Sequence, residues 1–490
     1  MELKNNLKSS IYAILVFTLF LFSALWKLTS PPIYQWDEAL YANNALEMLI
    51  NNDYWTMRVD GLPTLYNTKP PLAIWLQATC MRLFGANELS VRLPSVLSLV
   101  GILFILYRFC KKHLNVEIAR LSFAILLLSI GFMRVHILRS GDLDAVLSFF
   151  TTLYIFAFFD LILSKNTIQY NTIQYNTIQY AWLTLGFIGA FFTKSVACLL
   201  PLPALFLSAF VVRKNLSYLK NKTFILAFFT CIFLIIAYYW HMESVVEGYF
   251  NKVYASEFQR SYKDLMPWFE HRWYYYFEEI GRQFFPFVLL FPLAIFTKER
   301  MAKLLVVFTL IFLLFISLPP TKLDWYLAPL YPVMSVCIAV LYAEILKKIA
   351  DSNRKMLLVG FVSLSILATL YPIKALYKTN SYTGVLAALE EHGFFMCELK
   401  KRQPNVKNYV VTMSAKHEEH YQQAIFYKRA YNYFDGYNIR FTPVIANIHA
   451  TDTLLVCQSQ KLDSLKTLGF TEVVAASERY QNCKLLVKPK

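Results

Sequence analysis

The stretch TFILAFFTCIFLIIAYYWH, residues 223–241, carries no residue charged at neutral pH and is long enough to cross a bilayer's hydrocarbon core as one helix. Apolar runs of this kind recur through the first three quarters of the 490-residue chain, 57% of which is hydrophobic. That pattern is one of membrane helices and not of a soluble core. Eleven spans are expected, at about 11–29, 92–108, 120–137, 145–164, 181–194, 196–212, 223–241, 282–297, 303–318, 326–346 and 355–373. Lys4 and Lys8 precede the first run, and Trp26, Lys27 and Pro31-Pro32 follow it without a small-residue cleavage site, so it reads as a retained span.

The net charge of +16 would suit nucleic acid, but its placement argues for topology instead. Basic clusters fall in short gaps between apolar runs: Arg108, Lys111, Lys112 and Arg120; Arg213, Lys214, Lys220 and Lys222; Lys298, Arg300 and Lys303; Lys347, Lys348, Arg354 and Lys355. With the chain starting inside, alternation puts every cluster on the cytoplasmic side, as the positive-inside rule requires. The same alternation puts 30–91, 138–144, 242–281, 319–325 and the tail outside. Segment 70–85 would invert that order if it spanned, so it is expected to be an interfacial or re-entrant helix opened by proline. The run 181–212 is interrupted by Thr193-Lys194-Ser195, which predicts two helices meeting at the outer surface. Residues 166–180 repeat Asn-Thr-Ile-Gln-Tyr three times, a tolerated duplication in a cytoplasmic loop.

From about 374 charged residues become frequent, and short β-like runs (409–412, 453–456, 471–475) alternate with helical patches. The expected fold is a mostly α polytopic membrane protein, residues 1–373, followed by a small extracytoplasmic α/β domain, residues 374–490. Cys80, Cys110, Cys198, Cys231 and Cys337 lie in or beside apolar runs as small hydrophobes. Cys397, Cys457 and Cys483 allow one disulfide in the tail, and spacing does not choose the pair. His417-Glu418-Glu419-His420 lacks the spacing of a zinc helix and reads as a solvated face.

Unusual polar residues gather in the outer segments. Trp36-Asp37-Glu38 opens the first, which also holds Tyr41, Arg58, Tyr66 and Lys69; Arg139, Asp142 and Asp144 precede the fourth span. Glu257 and Arg260 lie in 242–281, and Thr321-Lys322-Leu323-Asp324-Trp325-Tyr326 precedes the tenth span. Ionisable groups at a membrane edge are functional candidates, and an active site between helices would draw on several segments. Asp37 and Glu38 also suit a helix N-terminus. Asp142 reads as a solvated loop residue, and Tyr274 to Tyr276 as an interfacial aromatic belt. A transporter would carry internal repeats and charges near the midplane; here the carboxylates crowd the outer edge.

Trp36-Asp37-Glu38 with Tyr41-Ala42, Trp55 with Arg58 and Gly61, and Lys69-Pro70-Pro71 resemble the aminoarabinose (lipid A) transferase branch of the GT-C membrane glycosyltransferases. The protein O-mannosyltransferase superfamily shares part of that pattern. Residues 143–150, 192–194 and 321–332 also resemble family segments. The resemblance implies GT-C architecture and an inverting enzyme of the bacterial inner membrane, working at the periplasmic face. Such an enzyme moves a sugar from a polyprenyl-phosphate donor to a lipid or envelope-glycan acceptor such as lipid A, or, in the alternative, to protein hydroxyls. Its partners are the donor, the acceptor and membrane lipids, with no nucleic acid. It implies Asp37 as the catalytic carboxylate with Asp144 as partner and Glu38 as a further member. Arg58, Lys69, Arg260 and Lys322 are candidates for the donor phosphate, arginine being able to bind it bidentately, and Tyr41, Tyr66, Glu257 and Tyr326 for the pocket wall. Some relatives place a metal-holding glutamate just before the lysine of Lys-Pro; here it is Thr68. No metal is therefore assigned, although Asp37 or Glu38 could bind a divalent cation through oxygen.

Overall fold

The computed structural model describes residues 24–134, 136–163, 172–213, 221–259, 269–348, 385–413, 421–444, 447–449, 451–457, 459–474 and 483–489, with single positions at 14, 18, 20, 353, 356 and 360. Most of the predicted first span, nearly all of 355–373, the start of the pentapeptide repeat, Arg260 and residues 417–420 lie outside them. The helices that matter here are α1 (Asp37–Asn51), α2 (Leu72–Phe84), α3 (Glu88–His113), α4 (Val116–Leu127), α5 (Asp144–Leu163), α6 (Thr172–Lys194), α7 (Leu202–Arg213), α8 (Lys222–Val245), α9 (Arg300–Ser317), α10 (Leu330–Lys348), α11 (Val385–Arg402), α12 (Gln422–Phe434) and α13 (Ser459–Thr467). The chain divides into two compact units: Met1–Trp26, Thr68–Ala73 and Pro94–Ala375 form one, and Lys27–Asn67, Ile74–Leu93 and Leu376–Lys490 the other.

Among the described residues six stretches are long and apolar enough to cross a membrane: Glu88–His113, Asp144–Leu163, Thr177–Leu199, Lys222–Val245, Arg300–Ser317 and Leu330–Lys348. They match six of the expected spans. Three others are shorter than predicted. The run 120–137 breaks where the Ser129 hydroxyl accepts the Phe132 N–H at 3.4 Å and starts a new turn. Beyond Lys194 the chain turns through a 3₁₀ segment, Ser195–Leu199, before α7, which is too short to span alone. Pro286 and Pro292 lack the N–H that a continuous helix needs, so after an α-helix that ends at Gln283 the rest of 282–297 forms only short 3₁₀ turns. Segment α2, with 13 residues, is about 20 Å long against a core of about 30 Å.

Asparagine side chains start two of these helices: Asn115 Oδ1 accepts from Ile118 N at 2.9 Å and Asn221 Oδ1 from Thr223 N at 2.8 Å. Helices α5 and α6 approach closely because Gly186 has no side chain; a Cβ there would meet the Tyr154 backbone nitrogen at 2.7 Å. In the apolar window of α10, 83% is buried, against 11% in α8. Leu226, Phe229, Phe233, Ile236 and Trp240 make one exposed stripe at helical spacing along α8, a face fit for lipid.

The second unit holds the hairpin β1 (Arg58–Val59) with β2 (Leu62–Pro63) and a five-stranded sheet. Its strands β3 (Asn408–Thr412), β4 (Asn438–Thr442), β5 (Leu454–Val456), β6 (Thr471–Val474) and β7 (Lys484–Val487) lie in the order β4-β3-β5-β7-β6. The β3 pairings are parallel and those of β7 antiparallel. Val410, Leu454, Val456 and Leu486 pack with Leu462 and Leu465 of α13 and with Phe470 as its core. Cys457 and Cys483 are disulfide-bonded, and Cys397 is a buried free thiol.

Arg92 of α3 is fully buried in this unit. Its Nε and Nη2 donate to the two Glu38 oxygens at 2.7 and 2.9 Å. Nη1 donates to the carbonyls of Leu28 and Pro31 at 2.7 and 2.9 Å, and Nη2 also to that of Pro32 at 2.9 Å. Removing one partner of such a pair strands a buried charge, at about 3–5 kcal/mol. Arg92→Met should therefore lower the thermal midpoint in detergent sharply, and Glu38→Gln added to it should recover part of the loss. A full-strength midpoint in Arg92→Met would mean that the pair is dispensable.

Candidate functional site

In the unit that carries the membrane helices, a polar cluster forms where α5 begins. His136 adopts the left-handed region (φ 73°), which histidine enters more readily than most residues. Its N–H donates to the Ser140 hydroxyl at 2.9 Å, and that hydroxyl donates to Asp142 Oδ2 at 2.5 Å. His136 Nδ1 lies 3.5 Å from the same oxygen, and its ring stacks on Trp325 at 4.6 Å between centroids. Asp142, expected to be solvated, is instead buried. Burial raises its pKa, but the opposing effects of His136 and the Ser140 hydrogen bond prevail and hold it below the ordinary carboxylate value. Its second oxygen, Oδ1, is buried without a hydrogen-bond donor among the described residues.

Two residues on, Asp144 opens α5 and is also buried. Lys194 Nζ, at the predicted break after α6, donates to both its oxygens at 2.7 and 2.8 Å. The same ammonium lies 5.9 Å from the centre of the Tyr326 ring, within cation–π reach. Arg134 pairs with Asp324, next to Trp325. Four segments thus contribute three carboxylates, two cations, an imidazole and an aromatic wall.

Lys69 pairs with Glu257, and both are largely buried. Thr68 and Ser256 hydroxyls lie 2.9 Å apart, and Tyr249 donates to the Thr68 carbonyl at 2.9 Å. This lattice holds the Lys-Pro-Pro turn. Lys322 departs from expectation. Its Nζ donates to the carbonyls of His271, Pro319 and Pro320 at 2.8, 2.7 and 3.4 Å, so all three of its protons are engaged and it braces the loop. Tyr276 is fully buried and accepts from Leu323 N at 3.1 Å. It belongs to the same brace and not to an interfacial belt.

The remaining candidates sit in the second unit. Asp37 is the first residue of α1, after Trp36 at φ 77°. Glu38 is buried, with its oxygens held by Arg92 and by the Tyr34 N–H at 2.7 Å, which suits a strut better than a reacting group. Arg58 pairs with Asp53 at 3.2 Å. Burial opposes ionisation of Asp53, but bonds from Thr56, Trp55 and Arg58 outweigh it and lower its pKa to about 2. Tyr41 is buried within α1, whereas Tyr66 is 69% exposed. Arg260 lies outside the described residues. His136, Arg134 and Arg92 are polar residues that sequence reasoning passed over.

A profile of the dolichyl-phosphate-mannose-protein mannosyltransferase family matches residues 68–240. An uncharacterized protein of Aquifex aeolicus (strain VF5) is 29% identical over 351 residues, 68% of this chain and 64% of that protein. The undecaprenyl phosphate-alpha-4-amino-4-deoxy-L-arabinose arabinosyl transferase of Wigglesworthia glossinidia brevipalpis is 28% identical over 229 residues, 46% of this chain and 38% of the transferase. The match therefore spans less than two thirds of either relative. The crystal structure of ArnT from Cupriavidus metallidurans bound to undecaprenyl phosphate superposes with a TM-score of 0.69 at 13% identity, covering 98% of this chain and 99% of that one. At that identity the likeness is one of fold.

Lys322→Met leaves carbonyls without a donor, at about 1–3 kcal/mol for a buried group, so it should lower the thermal midpoint in detergent. An unchanged midpoint would mean that the loop holds without this brace.

Proposed function

We propose that this chain, a GT-C membrane protein of the ArnT and protein O-mannosyltransferase type, transfers a sugar from a polyprenyl-phosphate donor to a lipid or envelope-glycan acceptor, with lipid A the first candidate. The reaction takes place at the periplasmic face of the bacterial inner membrane and inverts the anomeric centre. One observation carries this: the stretch matched by the mannosyltransferase profile, 68–240, contains Lys69, Asp142, Asp144 and Lys194, and all four are buried or nearly so and held in polar lattices.

In the transfer, the acceptor oxygen forms a bond to the anomeric carbon, and the carbon–oxygen bond to the donor phosphate breaks, its electron pair leaving with polyprenyl phosphate. Cations held in a water-poor setting stabilise that developing charge. Lys69 is the first choice. Its carboxylate partner Glu257 fixes the ammonium in place, and a phosphate bearing more charge competes for it. Arg58 and Arg260 are further phosphate contacts. Lys194, pinned by Asp144, tunes the charge of the cluster, with Tyr326 as a wall for the sugar. Asp37, the first choice on the family pattern, takes the proton of an acceptor hydroxyl; an acceptor phosphate is already ionised, and Asp37 then orients it. Oδ1 of Asp142, without a donor among the described residues, could take a divalent cation through oxygen, and a cation bound there would add positive charge.

The description of the matched profile, a protein mannosyltransferase, favours one second reading, in which the acceptor is a protein hydroxyl. Mass spectrometry of envelope lipids and glycoproteins separates the two. Asp37→Ala, at matched membrane levels, should lose a sugar-sized mass from a lipid, with transfer reduced by about 10²–10⁴-fold if Asp37 is a base. Asp144→Asn and Lys69→Ala should reduce it too. Loss from proteins instead would establish the second reading. Unchanged lipids and proteins in Asp37→Ala would reduce Asp37 to a helix cap.

A further inference from the structure

Four side chains of metal-binding type, none of them assigned to the transfer reaction, meet in the sheet-bearing unit. Glu391 and His392 are consecutive on α11. Cys457 follows β5 and Cys483 precedes β7; these strands are antiparallel neighbours, and the register pairing Val456 with Lys484 brings both sulfurs to one strand end. A carboxylate oxygen of Glu391, a ring nitrogen of His392 and Sγ of Cys457 lie within 4.8 Å of one another. Sγ of Cys483, bonded to Cys457, lies 3.7 Å from the Glu391 carbonyl oxygen.

The two non-sulfur members look set for a ligand. Glu391 is 8% exposed, and among the described residues its carboxyl forms no hydrogen bond or ion pair. His392 is fully buried, and its Nε2 donates to the Thr412 carbonyl oxygen at 3.0 Å when Nδ1 carries the lone pair. A backbone carbonyl on the far nitrogen is how metal-bound histidines are oriented. Carboxylate, imidazole and two thiolates complete a tetrahedral zinc set.

We propose that reducing the Cys457–Cys483 bond opens a binding site for a thiophilic divalent cation such as Zn²⁺, with Glu391, His392, Cys457 and Cys483 as its ligands. The reductant is a dithiol. Its two sulfurs become a disulfide as the Cys457–Cys483 bond breaks, and two electrons and two protons pass to the cysteines. Cation binding then displaces both thiol protons. A metal link thereby replaces the covalent link between β5 and β7.

Cobalt(II) tests this on the full chain in detergent, reduced with a phosphine, desalted without oxygen and titrated. Reduced wild type should take up a single equivalent with sulfur-to-cobalt charge-transfer absorption and tetrahedral ligand-field bands, and the oxidised protein should show neither. The Cys457→Ser/Cys483→Ser variant, which keeps the six other cysteines, should lose both signals while keeping the wild-type circular dichroism. Glu391→Gln and His392→Ala keep the disulfide; once reduced they should retain the charge-transfer band and bind at least about tenfold more weakly. No charge-transfer band in reduced wild type, an undiminished band in the double serine variant, or wild-type affinity in both Glu391→Gln and His392→Ala would overturn the site.

Discussion

The second unit depends on one guanidinium. Arginine offers five N–H donors in a rigid plane, and Arg92 uses all of them on Glu38 and on the carbonyls of Leu28, Pro31 and Pro32. Consecutive prolines cannot donate hydrogen bonds of their own, so the segment entering α1 has no ladder to hold it. The arginine replaces that ladder. It fixes the turn through Trp36 and with it the start of α1, where Asp37 stands. A buried pair of this kind is costly to assemble and more costly to break.

The first unit solves a similar problem differently. Asp142, Asp144, Lys194, Arg134 and Asp324 carry formal charges at the ends of apolar helices, where water is scarce. Each meets an opposite charge or an imidazole, and the Ser140 hydroxyl donates to Asp142. Oδ1 of Asp142 stands apart from this pattern. It is one of the buried acceptors left over among the described residues, and such an atom is where an incoming group gains the most.

The strongest apolar runs were legible because composition alone decides them, and Lys194 marked a break that the structure keeps. The failures have physical causes. Pro286 and Pro292 were visible in 282–297, but hydropathy averaged over them. Arg92 stood in plain view near the start of an apolar helix, yet its partner Glu38 lies 54 positions earlier in the chain. The Arg429–Glu47 pair is separated by 382 positions. Asp142 looked solvated because a loop aspartate has no periodicity to reveal its burial. Pairings across such distances are set by tertiary structure and leave no local pattern, so Glu38 and Lys322 were assigned chemistry where the structure gives them bracing roles.

Helix α8 has a consequence for the surrounding membrane. Its uncharged stretch from Thr223 to Trp240 is bounded by Lys222 at one end and by His241 and Glu243 at the other. At 1.5 Å per residue that stretch is about 27 Å long, slightly less than a typical hydrocarbon core. The stripe from Leu226 to Trp240 faces outward, so few side chains shield it from bilayer strain. A thicker bilayer must thin around α8 or draw its polar ends inward, and tilting would only widen the mismatch. Bilayer thickness thus acts directly on the helix whose Tyr239 reaches Ser195, one residue beyond Lys194.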